Sequence, residues 1–358
     1  MSRYDLGRTE LARLMEGEPS YRVDQLIDGL YRQLAEPGEL TVLPRALRER
    51  LGASPALAPA FHVVGERSSD RGATVKWLLE AADGVRVETV LMGYRDRATA
   101  CVSSQAGCAM ACSFCATGQL GFGRQLTSGE ILEQVVLAAR NARERGMGRL
   151  TNVVLMGMGE PLANYGNVLP ALRRAHEWIG IAARSITIST VGIVPGILRL
   201  AGEGLQFNLA VSLHAGNDEL RDELVPVNRR YDLAALMAAC RRYTEATHRR
   251  ITFEWALISG VNDRERDAAE LAGLARPLGA HVNVIPLNPT PGYALAGSPP
   301  ATVAAFRDRL CALGVNVTVR ATRGRAVDAA CGQLAAGLGP GGLRRPRAAR
   351  VAAPAPLA

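Results

Sequence analysis

CVSSQAGCAMACSFCATGQLGFGRQLTSGE, residues 101–130, sets Cys108, Cys112 and Cys115 within eight residues among small neighbours, with no helix-compatible run between them. Three thiols at Cys-x3-Cys-x2-Cys spacing predict a metal loop, and their number bears on which metal. A structural zinc site wants four closed ligands, usually from two Cys-x2-Cys pairs, and this window offers no fourth. A 4Fe-4S cube tolerates the shortfall, because three thiolates leave one iron open to an exogenous ligand. Cysteines are often just small buried hydrophobes, but three of those would have no reason to crowd into one Gly-flanked loop.

From Ala98 the chain alternates strands with helices, the signature of βα units around a parallel sheet. ATACVSS, LTNVVLMG, SITISTVG, FNLAVSLH, ITFEWALI and HVNVIPLN read as six strands. Thr127 and Glu130 form a capping box at the start of the first helix. The pattern predicts an α/β fold, a partial (β/α)6 barrel of the TIM type. In such barrels chemistry sits beyond the strand C-termini, and the cysteine loop follows the first strand. The other strand ends bring Gly159 and Glu160 of GMGEP, Ser189, then Ser212, Leu213 and His214, and Asn288 to the same rim. Gly159 admits close backbone approach, Glu160 can accept hydrogen bonds from an amine, and Ser189, Ser212 and Asn288 are short neutral partners. Singly these are turn or cap residues; with the cysteines they predict a ligand pocket.

The flanks divide the chain into residues 1–54, a small helical unit; 60–96, an antiparallel β extension; 97–334, the barrel; and 335–358, an Arg/Ala/Pro tail expected to be disordered. Glu88 stands in VRVETVLMG between Val87 and Val90, where alternation points it either outward or into a cleft. Cys331, between Ala330 and Gly332, reads as an accessible loop cysteine, whereas Cys240 and Cys311 lie on helices and read as core.

With 358 residues and 48% hydrophobic content, the chain can bury a full core plus a smaller accessory unit. No apolar run approaches the roughly 20 residues of a membrane helix, the first residues are polar, and an odd cysteine count argues against a secreted disulfide framework. A cytoplasmic protein is expected. Net charge is +8, and Lys76 is the only lysine. The excess is half due to tail arginines, so it permits a polyanionic partner without demanding one.

The cysteine spacing, with Phe114 just before the last thiol, resembles the radical S-adenosylmethionine (SAM) superfamily. CVSSQAGCAMACSFCATG, GMGEP, SLHA, PLNP and TRGRAVDAACGQL, in that order, resemble the RlmN/Cfr family of radical SAM RNA methyltransferases, most closely its RlmN branch. The resemblance implies a 4Fe-4S cluster on Cys108, Cys112 and Cys115, two SAM molecules per turnover, and a SAM pocket at the rim residues named above. It further implies that Cys331 carries the methyl group, that Glu88 is the base, and that Cys101 resolves a covalent protein-RNA adduct through a disulfide with Cys331. The implied substrates are an adenosine of 23S rRNA, before full ribosome assembly, and one in the anticodon loop of some tRNAs, methylated at carbon 2. A reducing electron donor, no membrane and a monomeric state complete the expectation. A Cfr-type enzyme acting at carbon 8, a radical SAM enzyme with another substrate, and a non-catalytic metal-containing RNA-binding module are the alternatives.

Overall fold

The structure, a computed structural model, describes residues 2–290, 292–320, 324, 327–329 and 333–334. Its strands are β1 (Phe61–Ser69), β2 (Thr74–Ala81), β3 (Arg86–Gly93), β4 (Ala98–Cys101), β5 (Gln105–Gly107), β6 (Phe122–Gln125), β7 (Leu150–Leu155), β8 (Ile186–Thr190), β9 (Asn208–Ser212), β10 (Thr252–Leu257), β11 (His281–Pro286) and β12 (Asn316–Val319). Ten of them form one sheet in the order β1-β2-β3-β4-β7-β8-β9-β10-β11-β12, while β5 and β6 pair by themselves. Pairing is antiparallel from β1 to β4 and parallel from β4 onward. The six strands expected from sequence are β4 and β7 to β11; VNVTVRAT supplies β12 as a further parallel strand at the edge. Among the described residues β12 does not pair with β1, so the sheet is open.

On β9 and β10 one face is wholly apolar and buried, carrying Leu209, Val211, Phe253, Trp255 and Leu257, while Ser212 and Glu254 stand on the other. The helix Ser128–Glu144 crosses from β4 to β7 and packs on β3, β4 and β7. Its predicted capping box is present: the Thr127 hydroxyl accepts from the Glu130 amide at 3.1 Å, and the Glu130 carboxylate accepts from the Thr127 amide at 2.8 Å.

Register settles where the β extension aims its side chains. Lys76 lies opposite Val90, Leu78 opposite Glu88, and Val90 opposite Cys101. Residues opposite one another, or two apart on one strand, share a face. Lys76, Glu88, Val90 and Cys101 therefore stand on the same face, and Glu88 is turned inward, only 4% exposed.

The N-terminal helices Arg8–Leu14, Tyr21–Asp28 and Arg45–Gly52 contribute Leu11, Leu26, Leu47 and Leu51 to the same continuous apolar core as the barrel. Asp5 accepts from the Gly129 amide at 2.6 Å and from the Thr127 hydroxyl at 3.0 Å, so it caps the first barrel helix from outside the barrel. Gly129 is needed there, because a Cβ would lie 2.4 Å from the Asp5 nitrogen. Deleting residues 1–52 is thus expected to leave the Ser128–Glu144 helix its own Thr127–Glu130 cap but to strip it of the Asp5 contacts and of its apolar cover. Soluble yield and thermal unfolding check this, and a truncated protein that unfolds cooperatively at the full-length temperature would contradict it. Cys240 is core as expected, but Cys311 is exposed, on the outer face of the helix Pro300–Ala312.

Candidate active site

A cavity of about 960 Å³, counting its open mouth, lies at the C-terminal ends of the parallel strands. Cys112 and Cys115 border it from the loop, Gly159 and Glu160 from the end of β7, Ser189 from β8, Ser212 and His214 from β9, and Asn288 from beyond β11. Leu213 does not join them. Strand alternation carries Ser212 and His214 to the cavity and turns Leu213 to the opposite side, where it is fully buried in the apolar core. Cys108 is half-buried at the foot of the loop, its amide donating to Gly121 at 2.8 Å.

The small β5-β6 hairpin explains how a loop this rich in small residues holds its shape. Gln105 pairs with Gln125 and Ala106 with Arg124, so the residues between them, with all three cysteines, form one closed excursion. The GMGEP turn then docks on the exit of β4. A Cβ on Gly157 would meet the Val102 carbonyl oxygen at 2.5 Å, and one on Gly159, at φ +101°, would meet the Gln105 Cβ at 2.5 Å. Only glycine allows this approach.

Glu160 is buried at the cavity wall, where its carboxylate accepts from the Val191 amide at 2.8 Å and the Leu162 amide at 3.0 Å. Burial raises its pKa to about 7, although these hydrogen bonds pull the other way. His214 accepts from the Ala256 amide at its Nδ1, 2.9 Å, which leaves the ring proton on Nε2. It packs edge-on to Phe114 at 4.8 Å between centroids, and burial pushes its pKa down to about 3, so the ring is neutral at physiological pH.

Glu88 and Cys101 do not line the cavity; they share the sheet face described above. The Ser103 hydroxyl donates to the Glu88 carbonyl at 2.6 Å and accepts from the Met158 amide at 2.9 Å, tying the Glu88 backbone to the end of β7. Gln134 on the first barrel helix completes the lock, its amide oxygen accepting from Ser103 N and from Thr89. Lys76 forms a buried ion pair with Glu88 at 2.8 Å. Cys331 lies outside the described residues, as do Ala330 and Gly332, but Asp328 and Leu334, three residues to either side of it, are described. The Asp328 carbonyl accepts from Lys76 at 3.2 Å, and the Leu334 carbonyl accepts from Thr117, two residues past the last loop cysteine, at 2.9 Å.

The radical SAM superfamily profile matches residues 102–272. A protein from Frankia alni named as a probable dual-specificity RNA methyltransferase RlmN is 51% identical over 93% of this chain and 82% of its own length. One of the same name from Chloroflexus aurantiacus is 49% identical over 93% and 92%. The chain belongs to the RlmN family. The crystal structure of a radical SAM methyltransferase from Sphaerobacter thermophilus superposes with a TM-score of 0.89 at 51% identity, covering 94% of this chain and 99% of that one.

The cofactors of a radical SAM methyltransferase are a 4Fe-4S cluster and SAM, and the RlmN-family residues here fit both. The donor set is three thiols on one loop, of which Cys112 and Cys115 reach the cavity edge. Among the described residues no three Cys, His, Asp or Glu side chains are grouped as for a single metal ion. Burial raises Cys112 well above the ordinary thiol range and Cys108 to about 12, with the neighbouring Glu160 charge adding to both. A cationic cluster is what would make thiolates of them.

Several residues of this RlmN-family site escape a reading of the sequence. Glu254 and Arg320 both line the cavity and face each other at 3.5 Å. A charge in the middle of the apolar run ITFEWALI was the available signal for Glu254. Arg221, fully buried, donates to the carbonyls of Val191 and Leu213 at 2.7 and 3.1 Å and so binds together the exits of β8 and β9. Its signal was helical spacing with Leu224 and Val225, which puts it on the apolar face of DELRDELV. Among the described residues no helix is long and apolar enough to cross a membrane.

Proposed function

We propose that this protein methylates carbon 2 of an adenosine in the peptidyl-transferase centre of 23S rRNA, and an anticodon-loop adenosine in some tRNAs, with Cys331 as the methyl carrier. One observation supports this above others. Both described flanks of Cys331 hydrogen-bond to the two halves of the site, one to the ion-pair partner of Glu88 and the other to the cysteine loop. An RNA-binding module without chemistry has no use for such an arrangement.

When bound, the cluster supplies the electron that splits SAM and so provides the radical chemistry. Cys108, Cys112 and Cys115 hold it. Glu160, Ser189, Ser212 and Asn288 offer polar groups to the amino-acid and ribose parts of SAM, and the neutral His214 offers its Nε2 proton. Carbon 2 of adenine lies between two ring nitrogens and is electrophilic, so it cannot itself attack a SAM methyl group. Cys331 can, and its S-methyl group, once it loses a hydrogen atom, adds to that carbon. The adduct so formed must give up its unpaired electron, back to the cluster, and its carbon-2 proton, which Glu88 accepts, before the Cys101 thiolate attacks the Cys331 sulfur. The sulfur-carbon bond to the RNA breaks as the Cys101–Cys331 bond forms, and the methylene left on carbon 2 takes up a proton to become the methyl group. The target base must be splayed from its stack to reach this rim.

The test is mass spectrometry of rRNA and tRNA digests from a strain lacking the gene. Loss of 2-methyladenosine, restored by the gene, is expected. Loss of 8-methyladenosine instead would overturn the choice of carbon.

A second expectation concerns Glu160. Only its ionised form pairs with the SAM ammonium, and its pKa is about 7 in the free site. The ionised fraction rises with pH, so SAM affinity should increase as the pH is raised through neutrality. Glu160→Gln should bind weakly and flatten that profile in equilibrium binding. An unchanged slope in the variant would assign the titration to another group.

A further inference from the structure

Lys76 is the only lysine among 42 basic residues, the rest being arginine. A chain that has replaced lysine with arginine everywhere else retains an ammonium at a site that is 5% exposed, in the middle of β2. The geometry gives a reason. Its Nζ reaches the Glu88 carboxylate at 2.8 Å and the Asp328 carbonyl at 3.2 Å. A compact ammonium can serve two acceptors, one on the adjacent strand and one in a turn near the C-terminal end of the fold, whereas a planar guanidinium would bring five N–H donors into the same dry space. Asp328 has φ +50°, a left-handed conformation that Asp adopts more readily than most residues, and its carbonyl is thereby turned into a turn-like bend. Asp70 adds a second tie from the same edge of the sheet, accepting from the Gly324 amide at 3.3 Å and from Thr74 at 2.5 Å.

We propose that Lys76 is a positioning residue, which holds the Glu88 carboxylate and the Asp328 carbonyl in one assembly so that the base meets the carbon-2 proton of the adduct. The proposal rests on the reading of Glu88 as the base. Lys76 does not line the cavity, and its partners Glu88 and Asp328 lie outside the cysteine loop, so its loss should not affect SAM cleavage. It should affect the step that Glu88 performs.

Lys76→Met, which keeps the length of the side chain and removes its charge, is compared with Glu88→Ala in the reconstituted full-length enzyme with 23S rRNA fragments. Expected in Lys76→Met are SAM cleavage within about twofold of the parent, product formation reduced at least a hundredfold, and protein-linked RNA accumulating as in Glu88→Ala. A merely structural role would lower all three together. If Glu88→Ala releases free methylated RNA at the parent rate, the assignment of the base fails. If Glu88→Ala stalls but Lys76→Met turns over normally, only the Lys76 proposal fails. Because removing one partner of a buried pair can unfold a protein, Lys76→Ala with added n-propylamine serves as a second variant. Turnover restored by propylamine and not by n-propanol supports the proposal, and equal recovery with both, or with neither, overturns it.

Discussion

Cys101→Ala is expected to accumulate enzyme covalently bonded to RNA, while Cys331→Ala yields neither adduct nor product. The two thiols act on opposite sides of one intermediate. Without Cys331 there is no sulfur to receive the methyl group, so nothing can be joined to adenine, although the cluster assembles normally. Without Cys101 the methyl is received and the carbon bond to adenine forms, but no thiol remains to displace the Cys331 sulfur. The structure makes the second variant a clean one. Cys101 is 8% exposed at the end of β4, opposite Val90 in the sheet and not within the cysteine loop. A Cys to Ala change there removes one sulfur atom at a strand end held by Ser103 and Gln134, at a cost of about 1 kcal/mol in stability. The adduct should appear on a denaturing gel as a nuclease-sensitive shift, stoichiometric with enzyme, while multiple turnover falls to background. Free methylated RNA from Cys101→Ala at the parent rate, or an adduct in Cys331→Ala, would reverse the assignments.

What could be read in the sequence followed the reach of local rules. The cysteine loop was legible because three thiols at that spacing have few uses, and the parallel strands because short segments with a buried apolar residue at alternate positions recur between helical ones. Leu213 shows the rule that was available and not applied: in SLHA, a period of two already separates it from Ser212 and His214. Glu88 is different, since Val87 and Val90 fall on opposite faces of the strand and nothing local chooses between them. Only the pairing of Leu78 with Glu88 and of Val90 with Cys101 does so. Lys76, Ser103 and Gln134 were illegible for the same reason, as their partners lie far away in the chain. The N-terminal helices reveal a further limit. An amphipathic helix shows an apolar stripe without saying whose core receives it, and here it is the barrel's.

The largest loss of activity is expected from the loop. Alanine at Cys108, Cys112 or Cys115 should abolish SAM cleavage, because a cube already lacking a fourth protein ligand cannot spare another. Stability should respond differently. Cys108 and Cys115 are half-buried, and their removal should leave thermal unfolding of the apoprotein nearly unchanged. Cys112 packs in a small apolar cluster with Phe114, Val225, Ile258 and Leu287, so its alanine variant should also lose about 1 kcal/mol. Anaerobically reconstituted parent protein should contain about four irons and four sulfides per chain, and each variant should fall well short of that while still folding. Deoxyadenosine release, measured without RNA, then separates cluster failure from failure at Cys331 or Cys101, whose variants keep it. Stoichiometric zinc in place of iron, recovered from iron-replete anaerobic cells, would remove the basis for radical chemistry at this loop.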